Sequence, residues 1–392
     1  MWLKRRMGRA LTVIAVFGVT VALLFARAPD AFRAPQFWAE DAVVFWVQQY
    51  EQGFLRSLLV PSAGYLHVMP RVIAAVTDFL PYQMHPAAFV AGAAIVTGWT
   101  AATIAGLALP LPLAAALGVA ALLAVPGGET LTNPTNVQWI MAPALPLIAA
   151  AASPDGQLGR ANQVAFVVLS GLSGPFSILM VPIWLWRVLS GERRDGFALV
   201  LAATTLLAAT AQAIVIVGTP ETLDAAPDLL RAFWLSLLRA VTEPFDAHNG
   251  MRTFVIVTLA LLAAAACGQY AVLRRVCLAY AGLLLAAVAW KFRTAPDWLG
   301  ATGAGDRYFQ IPAVMIAFCA VTLLFEKGIT RVVGIVGCVV LAHHAAKRFV
   351  RTPIPDLSQQ WAAASPEIGK RPLELRVPPD WILRIPLSAG SR

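Results

Sequence analysis

The feature that most limits what this chain can become is a succession of apolar runs, each near bilayer-spanning length and separated by short, mostly basic connections. A spanning helix needs about 20 predominantly apolar residues. Runs of this kind lie at Ala10 to Ala26, Pro86 to Leu109, Leu111 to Val125, Val137 to Ala152, Gly196 to Gly218, Arg252 to Val272, Val276 to Phe292, Tyr308 to Phe325 and Arg331 to Ala346. The stretch Val164 to Leu189 is interrupted by Gly171, Gly174 and Pro175. One crossing there would leave Arg187, Arg193 and Arg194 outside, against the inward bias of Lys and Arg. Two short helices meeting at a tip near Ser173 restore the bias. These runs predict an all-α fold, a polytopic transmembrane bundle of about 9 to 11 membrane helices, some short or broken.

Composition agrees. Of 392 residues, 59% are hydrophobic and 13% charged, whereas soluble domains carry about a quarter charged residues. The net charge of +9 would point to nucleic acid in a soluble domain, but here the basic residues fall in the connections, where they set topology, so no nucleic acid is expected. Cys267, Cys277, Cys319 and Cys338 lie within apolar runs without ligand or disulfide spacing and read as packing residues. The start, MWLKRRMGR before an apolar run, resembles a signal peptide with a small-x-small site at Ala26 to Ala28. The run exceeds the usual signal core, which favours an uncleaved first helix. Either way, the chain from Pro29 is outside.

With that topology, Lys4, Arg5, Arg6, Arg9, Arg160, Arg187, Arg193, Arg194, Arg274, Arg275, Lys327 and Arg331 share the cytoplasmic side. Five polar segments share the other: the acidic loop, GGETLTNPTNVQW, GLSGPF, EPFDAHNG and GAGDRYFQ. Several polar loops gathered on one face suggest a site there. The transmembrane domain covers residues 1–346, with a first outer loop at 28–85, and a short extracytoplasmic tail covers 347–392. In the first loop, AEDAVVFWVQQYEQGFL has the spacing of an interfacial helix with its aromatic face down, and Pro227 to Val241 repeats the pattern. In the tail, ELRV and WILRIPL read as strands.

No P-loop, GxGxxG, GxSxG, HExxH or DxD motif occurs. The chemistry-bearing residues lie in the outer segments. Glu40 and Asp41 form an adjacent acidic pair; on a helix they point about 100° apart, so one faces a cavity while the pair also suits a helix N-terminus. A carboxylate within reach of a hydroxyl acts as a general base, and Asp41 is the first candidate, Glu40 the second. GYLHVMPR supplies Tyr65, His67 and Arg71; His67 could orient the base, and Arg71 opposes the inward bias of basic residues, which calls for an anionic partner. Asn133, Asn136, Gln138 and Trp139 suit sugar hydroxyls and stacking, or equally a capped turn with a belt Trp. Ser173 marks the tip. Asp306, Arg307 and Tyr308 open a late run, with Arg307 suited to a lipid phosphate; Lys291 and His248 are weaker candidates on the same side. A divalent metal on Asp41, Glu40 and His67 is possible but not defined by spacing.

A carboxylate pair just after the first helix, a long first outer loop, broken short helices and the outer pair Arg307-Tyr308 together resemble the GT-C superfamily of membrane glycosyltransferases. The likeness is one of layout over about the first two thirds of the chain, and the acidic pair alone matches residue by residue. It implies an outer-face active site in the cytoplasmic membrane. The implied partners are a polyprenyl-phosphate-linked sugar donor, a glycan or glycolipid acceptor and membrane lipids. A transporter or flippase of a lipid-linked saccharide, or a non-catalytic subunit of a surface-polysaccharide system, would use similar parts. The topology is directly testable. A cysteine placed at Ser62 should react with an impermeant maleimide from outside intact cells, and cytoplasmic reactivity would overturn the sidedness.

Overall fold

A continuous apolar segment satisfies its backbone polar groups internally by coiling, because its side chains cannot. In a computed structural model describing residues 2–125, 130–219, 226–245, 250–300 and 305–387, almost every element is accordingly a helix. Five described helices are long and apolar enough to cross a membrane: Met7–Arg27, Tyr82–Ala105, Gly196–Val217, Ala271–Lys291 and Ile329–Lys347. The helix Asp306–Leu323 is buried along nearly its whole length. It is apolar on every face, as a helix at the centre of a bundle must be. Ile329–Lys347 is the opposite case, exposing Val332, Val333, Ile335, Val336 and Val339.

Several expected spans are shorter than their apolar runs. Leu111 to Val125 forms a helix only over Leu111–Leu123. Val137 to Ala152 is not one helix but two, Val137–Met141 and Ala144–Ala150, after a turn at Pro134–Asn136. Pro143 lies where the run breaks and Pro146 in the first turn of the second helix; proline removes a backbone donor, and this segment is buried in protein. The run ending at Val272 stops at Ala266, and the next helix begins at Ala271. The interrupted stretch is indeed two helices, Gln157–Gly171 and Phe176–Leu189. They double back: Arg160 at the start of the first donates to the Pro154 carbonyl at 3.0 Å. Arg187 at the end of the second reaches the Ala150 carbonyl at 3.5 Å.

Contacts between connections define two ends of the bundle. At one, Arg9 donates to the Leu107 and Leu109 carbonyls, Arg193 to Ser153 Oγ, and Arg275 lies close enough to Arg187 to repel it. At the other, Arg27 donates to the carbonyls of Leu122, Val125 and Phe349. The tail closes over this second end. Arg351 grips both Asp30 oxygens at 3.1 and 2.8 Å and donates to the Leu131 carbonyl at 3.1 Å. The two expected strands, Leu373–Val377 and Trp381–Ile385, pair antiparallel with Leu375 opposite Leu383. Leu373, Val377, Leu383 and Ile385 face inward, on the alternating period of a half-buried strand.

The acidic segment departs from expectation. Its aromatic face does not lie outward on an interface: Phe45 and Trp46 are buried, and Trp46 packs between Tyr50, His85, Tyr82 and Trp361. The tail helix Ser358–Ala364 supplies Trp361 and covers the face that an isolated loop would have given to lipid. The second amphipathic helix, Leu229–Thr242, does leave Leu229, Leu230, Phe233 and Trp234 exposed.

At the first end, Glu326 accepts from the Gln269 and Tyr270 amides and from Arg274, which also donates to the Ala264 and Cys267 carbonyls. Gly268, at φ 86°, passes against the Glu326 carboxylate. Gly268→Ala should lower the thermal unfolding midpoint of the solubilised protein, since the left-handed backbone alone costs a side chain roughly 1–2 kcal/mol. An unchanged midpoint would mean that this clasp does not limit stability.

Candidate functional site

The site begins with a backbone anomaly. Asp41 opens a π-helical stretch, Asp41–Trp46, a conformation that appears mostly as single turns at functional positions. Just before it, Ala39 holds φ at 40°, with its amide donating to the Pro378 carbonyl at 2.7 Å. A non-glycine residue in this region costs roughly 1–3 kcal/mol and persists where its surroundings hold it. Thr132 (φ 65°) and Ala63 (φ 50°) are the other such residues among those described, and both lie on neighbouring loops. Arg351 holds Thr132 through Oγ1 at 3.1 Å.

Asp41 is 1% exposed. Its Oδ1 accepts from both the amide and the hydroxyl of Thr135, each at 2.7 Å. Thr135 sits inside the turn Pro134–Asn136, where amide groups have no helical partner and point outward from the helix start. The Trp38 backbone amide also favours the charged carboxylate, so Asp41 is held from both the preceding turn and Thr135. Burial pushes the carboxyl up to about 7, against the two Thr135 hydrogen bonds, and the neighbouring Glu40 charge adds to the rise. Such a value suits a base at neutral pH. Glu40 is half-buried at the start of the same stretch.

The surrounding wall gathers most of the expected residues. Tyr65 stacks on His67 at 4.4 Å, and the Tyr65 hydroxyl lies 3.4 Å from the Gln138 amide. With that amide turned so that its oxygen meets Tyr65, its nitrogen donates to the Ser173 and Thr135 carbonyls, both at 3.1 Å. The Ser173 hydroxyl accepts from the Met69 amide at 2.8 Å, and the Leu172 carbonyl from the Val68 amide at 3.2 Å. The helix tip is thereby fastened to the start of Val68–Thr77. Burial raises the Tyr65 hydroxyl; Tyr308 adds to this and Arg307 opposes it, which brings the late helix into the same field. Tyr308 accepts from Lys291 Nζ at 2.8 Å, Arg307 Cζ lies 5.4 Å from its ring, and its ring meets Trp139 edge-on at 5.2 Å. Asp41, Tyr65, Gln138, Ser173, Tyr308, Lys291 and Arg307 thus belong to one continuous set of contacts and fields.

Other expected residues do different work. His67 does not contact Asp41: its Nδ1 meets the Tyr65 carbonyl at 3.2 Å, and burial pushes the imidazole down to about 3, so it is neutral at ordinary pH. Its hydrogen bond goes to the Tyr65 backbone, and among the described residues none joins it to Asp41. Asn133 accepts from the Asn136 amide and side chain at 3.0 Å, a capping role. Trp139 is buried between Phe176 and Tyr308, so it is neither a belt residue nor an open stacking platform. Asp306 pairs with Arg239 at 2.6 Å. Arg71 is fully buried behind Phe45. His248, Gly127, Gly128 and Glu129 lie outside the described residues. Among the described residues, no group of three or more His, Cys, Asp or Glu side chains gathers as a metal would require, and Asp41, Glu40 and His67 do not form one.

Thr135 and Gln212 were not among the expected site residues. Gln212 is fully buried; it accepts from the Leu66 amide at 2.9 Å and donates to the Leu66 and Gly171 carbonyls at 3.3 Å, fixing the segment after Tyr65 to the tip. A glutamine inside an apolar helix is a signal that sequence offers, since it must find partners there. Thr135 carries no comparable signal beyond following a proline.

The titration of Asp41 yields a stability prediction. Its folded pKa lies above the ordinary 3.8, so the neutral carboxyl's contribution is complete below that value and is lost as pH rises through about 7. The unfolding midpoint of wild type relative to Asp41→Asn should fall across that window and level off above it; a constant difference would refute the raised value. Comparison of the chain with protein-family models, with curated proteins and with solved structures gives no match.

Proposed function

We propose that this protein is a membrane glycosyltransferase of the GT-C type, moving a sugar from a polyprenyl-phosphate donor to a hydroxyl of a glycan or glycolipid. The observation that carries this reading is the Asp41 carboxyl. It is buried, raised to about 7 and pinned at one oxygen by Thr135, in a wall that also holds Lys291 and Arg307. In the reaction, the Asp41 carboxylate takes the acceptor hydroxyl's proton as the hydroxyl oxygen bonds to the anomeric carbon. The carbon–oxygen bond to phosphate breaks from the opposite face, inverting the centre. The departing polyprenyl phosphate keeps the electron pair, and Arg307 with Lys291 stabilises its charge. Glu40 is the alternative base. Gln138 and Tyr65 are placed to bind sugar hydroxyls.

Topology follows the same reading. The chain crosses the cytoplasmic membrane about 9 to 11 times if the short helices are included. Its arginine-rich end faces the cytoplasm, and the Asp41 end with the tail lies outside. The gathering of Arg9, Arg160, Arg187, Arg193 and Arg275 at one end supports this orientation. The exposed leucines and aromatics of Leu229–Thr242 suit a helix lying in the outer interface.

The test is transfer by purified protein given lipid-linked sugars and envelope glycolipid acceptors. Asp41→Asn should reduce the rate by roughly 10²–10⁴, the usual contribution of a positioned base, while binding of the lipid-linked donor persists. Thr135→Val should keep measurable transfer but shift the rising limb of its pH profile upward, because it removes a hydrogen bond to the charged carboxylate. Binding of lipid-linked saccharide without turnover in wild type would favour the transporter, and absence of both would favour a non-catalytic subunit.

A further inference from the structure

Arg71 is 0% exposed, yet its guanidinium makes one hydrogen bond, to the Val60 carbonyl at 2.7 Å. Its Nε and NH1 are buried without an acceptor. The Phe45 ring, 5.4 Å from Cζ, offers a modest cation–π contact. Burial alone lowers its pKa to about 10, with no carboxylate working the other way. A buried, unpaired charge is among the costliest arrangements a fold can hold.

The cover over Arg71 is bounded at both ends by residues at positive φ. Val60 belongs to the segment 53–64, which starts at Gly53 (φ 71°) and ends at Ala63 (φ 50°) and Gly64 (φ 87°). Within it are a four-residue helix, Phe54–Ser57, and two outward leucines, Leu55 at 82% and Leu59 at 66% exposure. Among the described residues its ties to the flanking segments include Ser57 Oγ to Gln49 Oε1, a long 3.4 Å contact, Gly53 N to the Gln49 carbonyl at 3.0 Å and the Ser62–Tyr65 backbone pair. Arg71 therefore latches the segment through a backbone carbonyl, a weaker acceptor for a guanidinium than an anion.

We infer that Arg71 is the receptor of an anion-binding site beneath a hinged cover formed by residues 53–64, and that its ligand is a phosphoryl group. A phosphoryl group offers several acceptor oxygens to the unpartnered nitrogens, and its charge neutralises the guanidinium. Taking NH2 from the Val60 carbonyl releases the latch, so binding and opening are one event. Tyr65 follows the cover directly and forms part of the Asp41 wall, so opening reaches the reactive carboxyl. The inference deepens the preceding reading at Arg71. Its readout is backbone exchange rather than sugar transfer, so either can fail alone.

The experiment uses the full chain in nanodiscs of zwitterionic phosphatidylcholine and follows hydrogen exchange over 53–64 and tryptic cleavage after Arg56. One arm adds inorganic phosphate, and the other replaces part of the lipid with phosphatidylglycerol. A several-fold rise in exchange and cleavage is expected; response to phosphate identifies a free anion as sufficient, and response to phosphatidylglycerol alone identifies a lipid headgroup. Arg71→Gln should abolish the response. No response of wild type to either probe, or an undiminished response in folded Arg71→Gln, overturns the inference. Where Arg71→Gln does not fold, wild type decides: exchange that rises elsewhere while 53–64 stays unchanged overturns it too.

Discussion

Helices that stop short in an apolar chain leave carbonyl groups without partners, and in this protein arginines supply the donors. Arg27 takes the carbonyls ending Leu111–Leu123, Arg9 those of the Leu107 to Leu109 turn, and Arg274 those ending Gly250–Ala266. Each unmet carbonyl in a dry interior would cost several kcal/mol. A guanidinium can meet two or three at once. Arginines share this work with Ser177 and Gln212, which meet the Gly171 carbonyl at the end of Gln157–Gly171, and short helices leave room for loops between the longer ones.

The candidate site is a product of those breaks. The tip at Leu172 to Pro175, the turn Pro134–Asn136 and the π-helical start at Asp41 are all places where regular helix gives way. Each brings unspent backbone groups: the Thr135 amide for Asp41, the Leu172 and Ser173 carbonyls for Val68 and Gln138. The tail secures the arrangement from behind, with Pro378 holding Ala39 and Arg351 holding Asp30 and Thr132. Strain at Ala39 and Thr132 is thus maintained by contacts from residues more than 200 positions away.

Much of the site's membership is legible in the sequence because polar residues are scarce and must explain themselves. Glu40, Asp41, Tyr65, Ser173, Lys291, Arg307 and Tyr308 stand out against apolar surroundings and prove to be neighbours or near neighbours. Individual roles are less legible. His67 and Asp41 both appear available for proton transfer in a linear reading, but the aromatic stack around His67 makes it neutral and directs it to Tyr65. Asp306 looks like a ligand contact until Arg239, from an amphipathic helix 67 positions earlier, is seen to hold it. Such pairings depend on which helix lies beside which, and hydropathy does not encode that.

By itself the sequence determined that the chain is an almost wholly helical bundle with several helices long and apolar enough to cross a membrane. Continuous apolar runs near 20 residues, without the alternation of a barrel strand, satisfy their backbone polar groups as helices. It also determined the broken hairpin, through Gly171, Gly174 and Pro175, and the strand pair of the tail, through alternation. Tertiary structure alone decided that Val137 to Ala152 is a buried, broken segment, that the aromatic face of the acidic stretch turns inward onto Trp361, and that Thr135 is the partner of Asp41. The physical reason is common to all three: each depends on a distant segment covering or meeting a group that local pattern leaves undetermined.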